Sequence, residues 1–160
     1  HVVGQMAGWL PHQSLEESQR ILDHFIEGKH CFALVEKKSG KVIGSLGLET
    51  SLRDELPREL EEQMGREIGY VLSKAYWGQG LMPEAVARVI QYLFEELKLD
   101  FVLCGHWVQN DRSRRVIEKS GFHFLQERIF VTRWGEERPS RMYVLVKEEY
   151  LQAKANSERR

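Results

Sequence analysis

YWGQGLMPEAVARVIQYLFEEL, residues 76–97, runs from a turn carrying Gly78 and Gly80 straight into an amphipathic segment. Within it Val86, Val89, Ile90, Leu93, Phe94 and Leu97 recur at the 3.6-residue period of one helix face, which predicts a long helix opening near Leu81. EIGYVLS (67–73) just before it reads as a strand. FVLCGHWV (101–108) after it is apolar almost throughout, as expected of a strand covered on both faces. Strand, long helix, strand is a βαβ crossover, so the two strands are predicted to be parallel and the connection right-handed.

The remaining elements arrange themselves around that unit. SLEESQRILDHFIEG (14–28) predicts a helix with Ser14 as N-cap, Glu17 closing a capping box and Gly28 as the stop. CFALVEKKSGKVIGSLGLE (31–49) reads as an antiparallel hairpin turning at KKSGK. Residues 50–66 are charged and interrupted by Pro57, a loop or flap with a short helix. DRSRRVIEKSG is a shorter helix ended by Gly121, and FHFLQERIFVTR and SRMYVLVK are strands around WGEERPS. LQAKANSERR reads as a polar, frayed tail. The expectation is one domain over residues 1–160, of α+β class, whose mixed sheet has a single parallel step in its middle.

With 42% hydrophobic and 29% charged residues, the composition is that of an ordinary soluble domain. A net charge of −1 supplies no basic field for nucleic acid or an anionic membrane. No apolar run approaches the ~20 residues of a membrane helix. Cys31 and Cys104 lie in apolar runs without CxxC spacing, which favours free thiols in a reducing compartment and a cytoplasmic location. The histidines show no metal spacing, so no metal is expected.

Glycines at a helix start let backbone N–H groups close on an anion at the positive end of the helix dipole. The turn is not a complete GxGxxG, because Pro83 stands three residues after Gly80, and no GK[ST] follows. Taken alone it leaves an anion site and a structural turn both open.

The context is more specific. After the second parallel strand comes NDRSRRVIEKSGF (110–122), and REIGYVLS (66–73) precedes the glycine turn. Three motifs in this order, YWGQGLMPEA among them, resemble the GNAT superfamily of N-acetyltransferases. The branch is the one that acetylates the N-termini of ribosomal proteins (RimJ/RimL type), and the likeness runs from about residue 14 to about residue 148. The resemblance implies the GNAT fold, a central mixed sheet with two splayed parallel strands flanked by helices, and acetyl-CoA as co-substrate. It implies that the turn at Gly78 and the backbone amides of Gln79, Gly80, Leu81 and Met82 hold the pyrophosphate. Backbone groups of Leu72 and Ser73, and the side-chain amide of Asn110, would pair with the pantetheine arm. Arg112, Arg114, Arg115 and Lys119 could meet the 3′-phosphate, Arg115 being the choice among them; a solvated helix face is the alternative. The sequence departs from the family at Trp77, where Arg or Gln is usual, and at Met82, where Gly or Ala is usual. The strand and helix that normally precede residue 14 are reduced to a remnant, as in a truncated chain.

Acetyl transfer to an amine requires a neutral amine, a polarised carbonyl and a protonated leaving thiolate. The Tyr that many family members use as acid falls at Ile117, while the branch's Ser corresponds to Ser113. Glu67 is the expected base, with Glu49 as runner-up and a backbone N–H near Val71 for the oxyanion. A buried structural thiol is the better reading of Cys104, and a hydrogen-bonded core residue the better reading of His106. The expected acceptor is a protein N-terminal α-amine or a small amine such as an antibiotic or polyamine. A homodimer is compatible with this, whereas nucleic-acid and membrane partners are not expected. The alternatives are a coenzyme-A-binding sensor that has lost catalysis and a nucleotide-binding regulatory domain.

Overall fold

A computed structural model describes residues 3–4, 7–49 and 56–159. The segment read as a flap, residues 50–66, lies outside it over 50–55. Its remainder holds a short helix, α2 (Arg58–Glu61), that buries Leu60. Ahead of it come helix α1 (Leu15–Gly28) and strands β1 (Cys31–Val35) and β2 (Val42–Glu49). Strand β3 (Gly65–Leu72), helix α3 (Leu81–Glu95) and strand β4 (Phe101–Trp107) form the central crossover. Helix α4 (Asp111–Lys119), strands β5 (His123–Val131) and β6 (Glu137–Val146) and helix α5 (Lys147–Glu158) complete the order.

The six strands form one sheet in the order β1-β2-β3-β4-β6-β5. Every neighbouring pair is antiparallel except β3 and β4, as the crossover demands. The apolar stripe of α3 accounts for the main core. Val86, Val89, Ile90, Leu93 and Phe94 pack on one sheet face against Leu46, Leu48, Ile68, Val102 and Cys104. A smaller cluster of Leu60, Phe101, Leu103, Met142 and Val144 closes the lower part of the opposite face. At about 25 cal/mol per Å² of apolar burial, these side chains dominate the favourable side of folding.

Three details differ from the sequence expectation. Gly28 stays helical, and Lys29 takes the left-handed conformation at φ 50°. A Cβ at Gly28 would meet the His30 ring at 2.2 Å, so a larger residue there requires that ring to move. Glu17 reaches back one residue further than a capping box, accepting from Gln13 N–H at 2.6 Å. The tail is no frayed coil: α5 docks by Tyr150, which donates to the Glu95 carboxylate of α3, and by Lys154, 2.6 Å from the same oxygen. Neither partner is visible in composition, because the docking residues lie 55 and 59 positions from Glu95.

Candidate active site

The parallel ladder between β3 and β4 has four rungs, from Gly65–Phe101 to Ile68–Cys104, and then stops. Both strands continue, β3 to Leu72 and β4 to Trp107. A gap therefore opens in the middle of the sheet. Its walls follow from the alternation of an antiparallel ladder. Ser73 N–H donates to Ile43 C=O at 2.8 Å, which fixes the β2–β3 phase. Val71 is paired with Ser45 in that phase, so its backbone groups turn to β2. The backbone groups of Tyr70 and Leu72 turn the other way, into the gap. Of the amides near Val71, where an oxyanion donor was expected, those of Tyr70 and Leu72 are the ones that face the gap. Ser73 is expended locally, its N–H on Ile43 and its C=O accepting from Tyr76 N–H at 2.9 Å. Leu72 keeps its N–H for the gap, while its C=O accepts the Trp77 indole N–H at 2.8 Å.

At the mouth of the gap lies the glycine turn. Gly78 and Gly80 sit at φ 75° and 77°, where a side chain would be strained, and nothing stands within 4 Å of where their Cβ atoms would be. Gly80 is the N-cap of α3 with no side chain capping it, so the amides of Gly80, Leu81 and Met82 have no intrahelical acceptor. Pro83 has no N–H to leave unpaired. Met82 projects into the core, 5% exposed, so only its backbone faces the turn. Gln79 turns its side-chain amide back onto Ala75 C=O at 3.1 Å.

The opposite lip is the start of α4. Asn110 is its N-cap, and Oδ1 accepts from Ser113 N–H at 3.2 Å, which leaves the Nδ2 donor for another acceptor. Ser113 meets the Tyr70 hydroxyl, 3.0 Å from its Oγ and 3.3 Å from its carbonyl oxygen. Tyr70 thus reaches from β3 across to α4 on the helix-covered face. Burial is the main cause that pushes both the Tyr70 phenol and the Cys104 thiol well above their usual ranges. Cys104 is a buried neutral thiol, in agreement with the structural role expected of it. His106 is a core residue: its Nδ1 pairs with Trp107 C=O at 2.8 Å, and its Nε2 lies 3.4 Å from the Tyr143 hydroxyl.

Glu67 occupies the other face of the sheet, on the side of Gly69 and Val71. Its Oε1 pairs with Arg128 Nη2 at 2.9 Å, both side chains about 15% exposed. Gly105 lies beside that carboxylate, a Cβ there standing in ordinary contact at 3.5 Å from the same oxygen. Nearby, Trp107 is flanked by Phe130 at 6.2 Å between ring centroids and carries the Arg138 guanidinium at 5.2 Å. Glu49 pairs directly with Glu67 in the β2–β3 register and is exposed. Ser113 and Glu67 therefore lie on opposite faces of the sheet, with Glu67 on the third rung of the ladder and its carboxylate beside Gly105, one residue past the last rung. Of the candidate cations, Arg114 is tied to Asp111 and Glu118. Arg112 lies over the Trp77 ring at 4.6 Å, and Arg115 is exposed on the same flank, three residues on. Among the described residues no cluster of three or more His, Cys, Asp or Glu could hold a metal ion, and no helix is long and apolar enough to cross a membrane.

Residues 2–123 match the acetyltransferase (GNAT) domain family. The chain belongs to the GNAT acetyltransferases. It is 38% identical over 95 residues to the probable N-acetyltransferase YjcK of Bacillus subtilis, covering 59% of this chain and 49% of that one. The chain spans about half the length of the curated relatives it matches first. The fold is shared with a spermidine N-acetyltransferase from Vibrio cholerae solved with CoA and spermine, at TM-score 0.74 and 16% identity, over 94% of this chain and 85% of that one. A ribosomal-protein-S5-alanine acetyltransferase from Vibrio fischeri gives TM-score 0.68 and 22% identity, over 90% and 81%.

Within this GNAT fold, two side chains, Tyr70 and Arg128, escaped the sequence reading, and a third, Arg112, was read there only as a phosphate candidate. Tyr70 looks in sequence like any aromatic residue of a half-buried strand. Arg128 meets Glu67 from 61 positions away, and Arg112 meets Trp77 from another element. Each is a pairing that only the folded sheet creates.

Proposed function

We propose that this chain transfers an acetyl group from acetyl-CoA to a primary amine, either a protein N-terminal α-amine or a small amine, within a ternary complex. The observation that carries the reading is the arrested ladder: four rungs, then two strands whose facing backbone groups are left for an extended ligand. The residues present fit such a ligand. Free amides at 80–82 suit a diphosphate, the Leu72 N–H and Asn110 Nδ2 suit the amide-bearing pantetheine arm, and Arg112 or Arg115 suits the remaining phosphate.

Acetyl-CoA supplies the activated thioester carbonyl. The amine nitrogen forms the C–N bond, the C–S bond breaks with its electron pair on sulfur, and the proton shed by nitrogen balances the one gained by sulfur. In this reading Glu67 takes the amine proton, directly or through water, and the Arg128 ion pair holds its carboxylate toward Gly105. Ser113 would hydrogen-bond the departing sulfur. A gap-facing amide of Tyr70 or Leu72 is oriented to polarise the carbonyl oxygen.

The ion pair on Glu67 is also what favours a second reading, a coenzyme-binding module without transfer. A screen for released CoA over small amines and N-terminal peptides separates the two, with calorimetry alongside. The enzyme reading expects binding and amine-dependent release that falls in Ser113→Ala. Binding with no release across the panel would leave the module, and no binding would remove both.

A further inference from the structure

We infer that Tyr70 is a positioning residue for Ser113: its hydroxyl bridges the two walls of the gap and fixes the serine hydroxyl so that the serine proton points at the coenzyme's sulfur. The inference rests on the acetyl-transfer reading and extends it to a residue on the opposite strand.

The Ser113 backbone is already fixed from one side, because Asn110 Oδ1 accepts its N–H at 3.2 Å. The hydroxyl needs its own constraint, since a serine in the first turn of a helix can rotate among three χ1 wells and bond its own backbone. The Tyr70 oxygen lies 3.0 Å from Oγ, across 43 positions of sequence, in a half-buried setting. A phenol has one proton and a serine hydroxyl has one proton and two acceptor sites. Ser113 offers that phenol proton two acceptors, its carbonyl oxygen at 3.3 Å and the nearer Oγ at 3.0 Å. With Tyr70 donating to Oγ, the serine proton cannot lie along the same line and is left for a third atom.

Tyr70 is suited to that task because it does not ionise. Burial holds its phenol above the usual tyrosine range, so it remains a donor throughout the working pH range. For the same reason it is not the net proton source. A tyrosinate in this setting is disfavoured, and the sulfur's proton is balanced by the one the amine sheds. What Tyr70 contributes is orientation: the developing thiolate meets a hydroxyl that is already aligned.

The test is a titration of bound coenzyme A, read by the ultraviolet absorbance of its thiolate, and it needs neither acceptor nor turnover. In the unaltered chain the bound thiol is expected to ionise at lower pH than free coenzyme A. Tyr70→Phe keeps the ring and removes the hydroxyl; the bound thiol's pKa should rise by about one, a roughly tenfold loss of thiolate at a given pH. Ser113→Ala should raise it by as much, and the double variant no further, since both act through one hydrogen bond. In single-turnover acetyl transfer, the Tyr70→Phe defect should shrink with acetyl donors whose thiol is more acidic, which a merely structural loss would not do. An unchanged bound-thiol pKa in Tyr70→Phe, or full additivity in the double variant, overturns the inference while leaving the transfer reading intact. Failure of the unaltered chain to bind coenzyme A removes both. Should Tyr70→Phe not fold, a bound-thiol pKa in Ser113→Ala equal to that of the unaltered chain overturns it equally.

Discussion

At the scale of single residues, the chemistry turns on a few atoms whose neighbours come from distant segments. If Glu67 is the base, Glu67→Gln lowers kcat by at least about tenfold and flattens the acidic limb of the pH–rate profile. Glu49→Gln, on an exposed strand end, leaves both in place. Glu67→Gln also weakens the contact with Arg128, so a loss of melting temperature is expected with the loss of rate. Restoring stability elsewhere should not restore the rate. Gly80→Ala tests the turn: at φ 77° the methyl is strained although space is open, for about 1–2 kcal/mol in thermal unfolding. Its second effect is a weaker grip on acetyl-CoA, seen as a raised KM. Ser113 and Asn110 were singled out through the family resemblance of residues 110–122, and both stand at the start of α4, joined by the Ser113 N–H. Tyr70 was not singled out, since nothing in a strand's alternation says what its far end touches.

At the scale of elements, β3 does two jobs along its length, zipped to β4 at its start and unpaired toward its end. That division appears in amide exchange: Gly69 and Val71, bonded to β2, should exchange slowly with or without coenzyme A. Tyr70 and Leu72 should become protected only when it is bound. Equal behaviour of the two pairs would show that no ligand enters the gap. Gly65 anchors the zipped end. A Cβ there would stand 2.1 Å from the Phe101 ring, and Gly65→Ala is expected to cost about 1–3 kcal/mol in denaturant unfolding. The C-terminal helix supplies a pH test. Hydrogen bonds from Lys154 and then Tyr150 hold the Glu95 carboxyl down at about 2. With its pKa depressed on docking, Glu95 favours the docked helix fully above the ordinary glutamate value of about 4.3. That contribution is lost as pH falls toward 2, so α5 should loosen in that window, read as exchange in residues 147–158. Glu95→Gln should abolish the pH dependence. The α3 and β4 periodicities made these elements readable, whereas α5, with no buried side chain of its own, has no stripe to betray it.

At the scale of the whole molecule, a ligand that fills the gap ties the β1–β3 side of the sheet to the β4–β6 side. Coenzyme A at a hundred times its Kd should add about 2.7 kcal/mol to stability. For a chain of 160 residues that corresponds to a rise of roughly 5–10 °C in Tm. The class of sheet, its parallel step and its glycine mouth followed from periodicity and turn chemistry, which are local properties. Where the ladder ends did not, because strand divergence is set by what packs on each face, not by either strand's composition. The indole of Trp77, pinned by Leu72 and shaded by Arg112, stands beside that mouth. An arriving phosphate that draws the guanidinium off the ring alters the light the indole emits. With Trp9, Trp107 and Trp134 exchanged for phenylalanine, the chain becomes its own gauge of occupancy, free of any dye or tag.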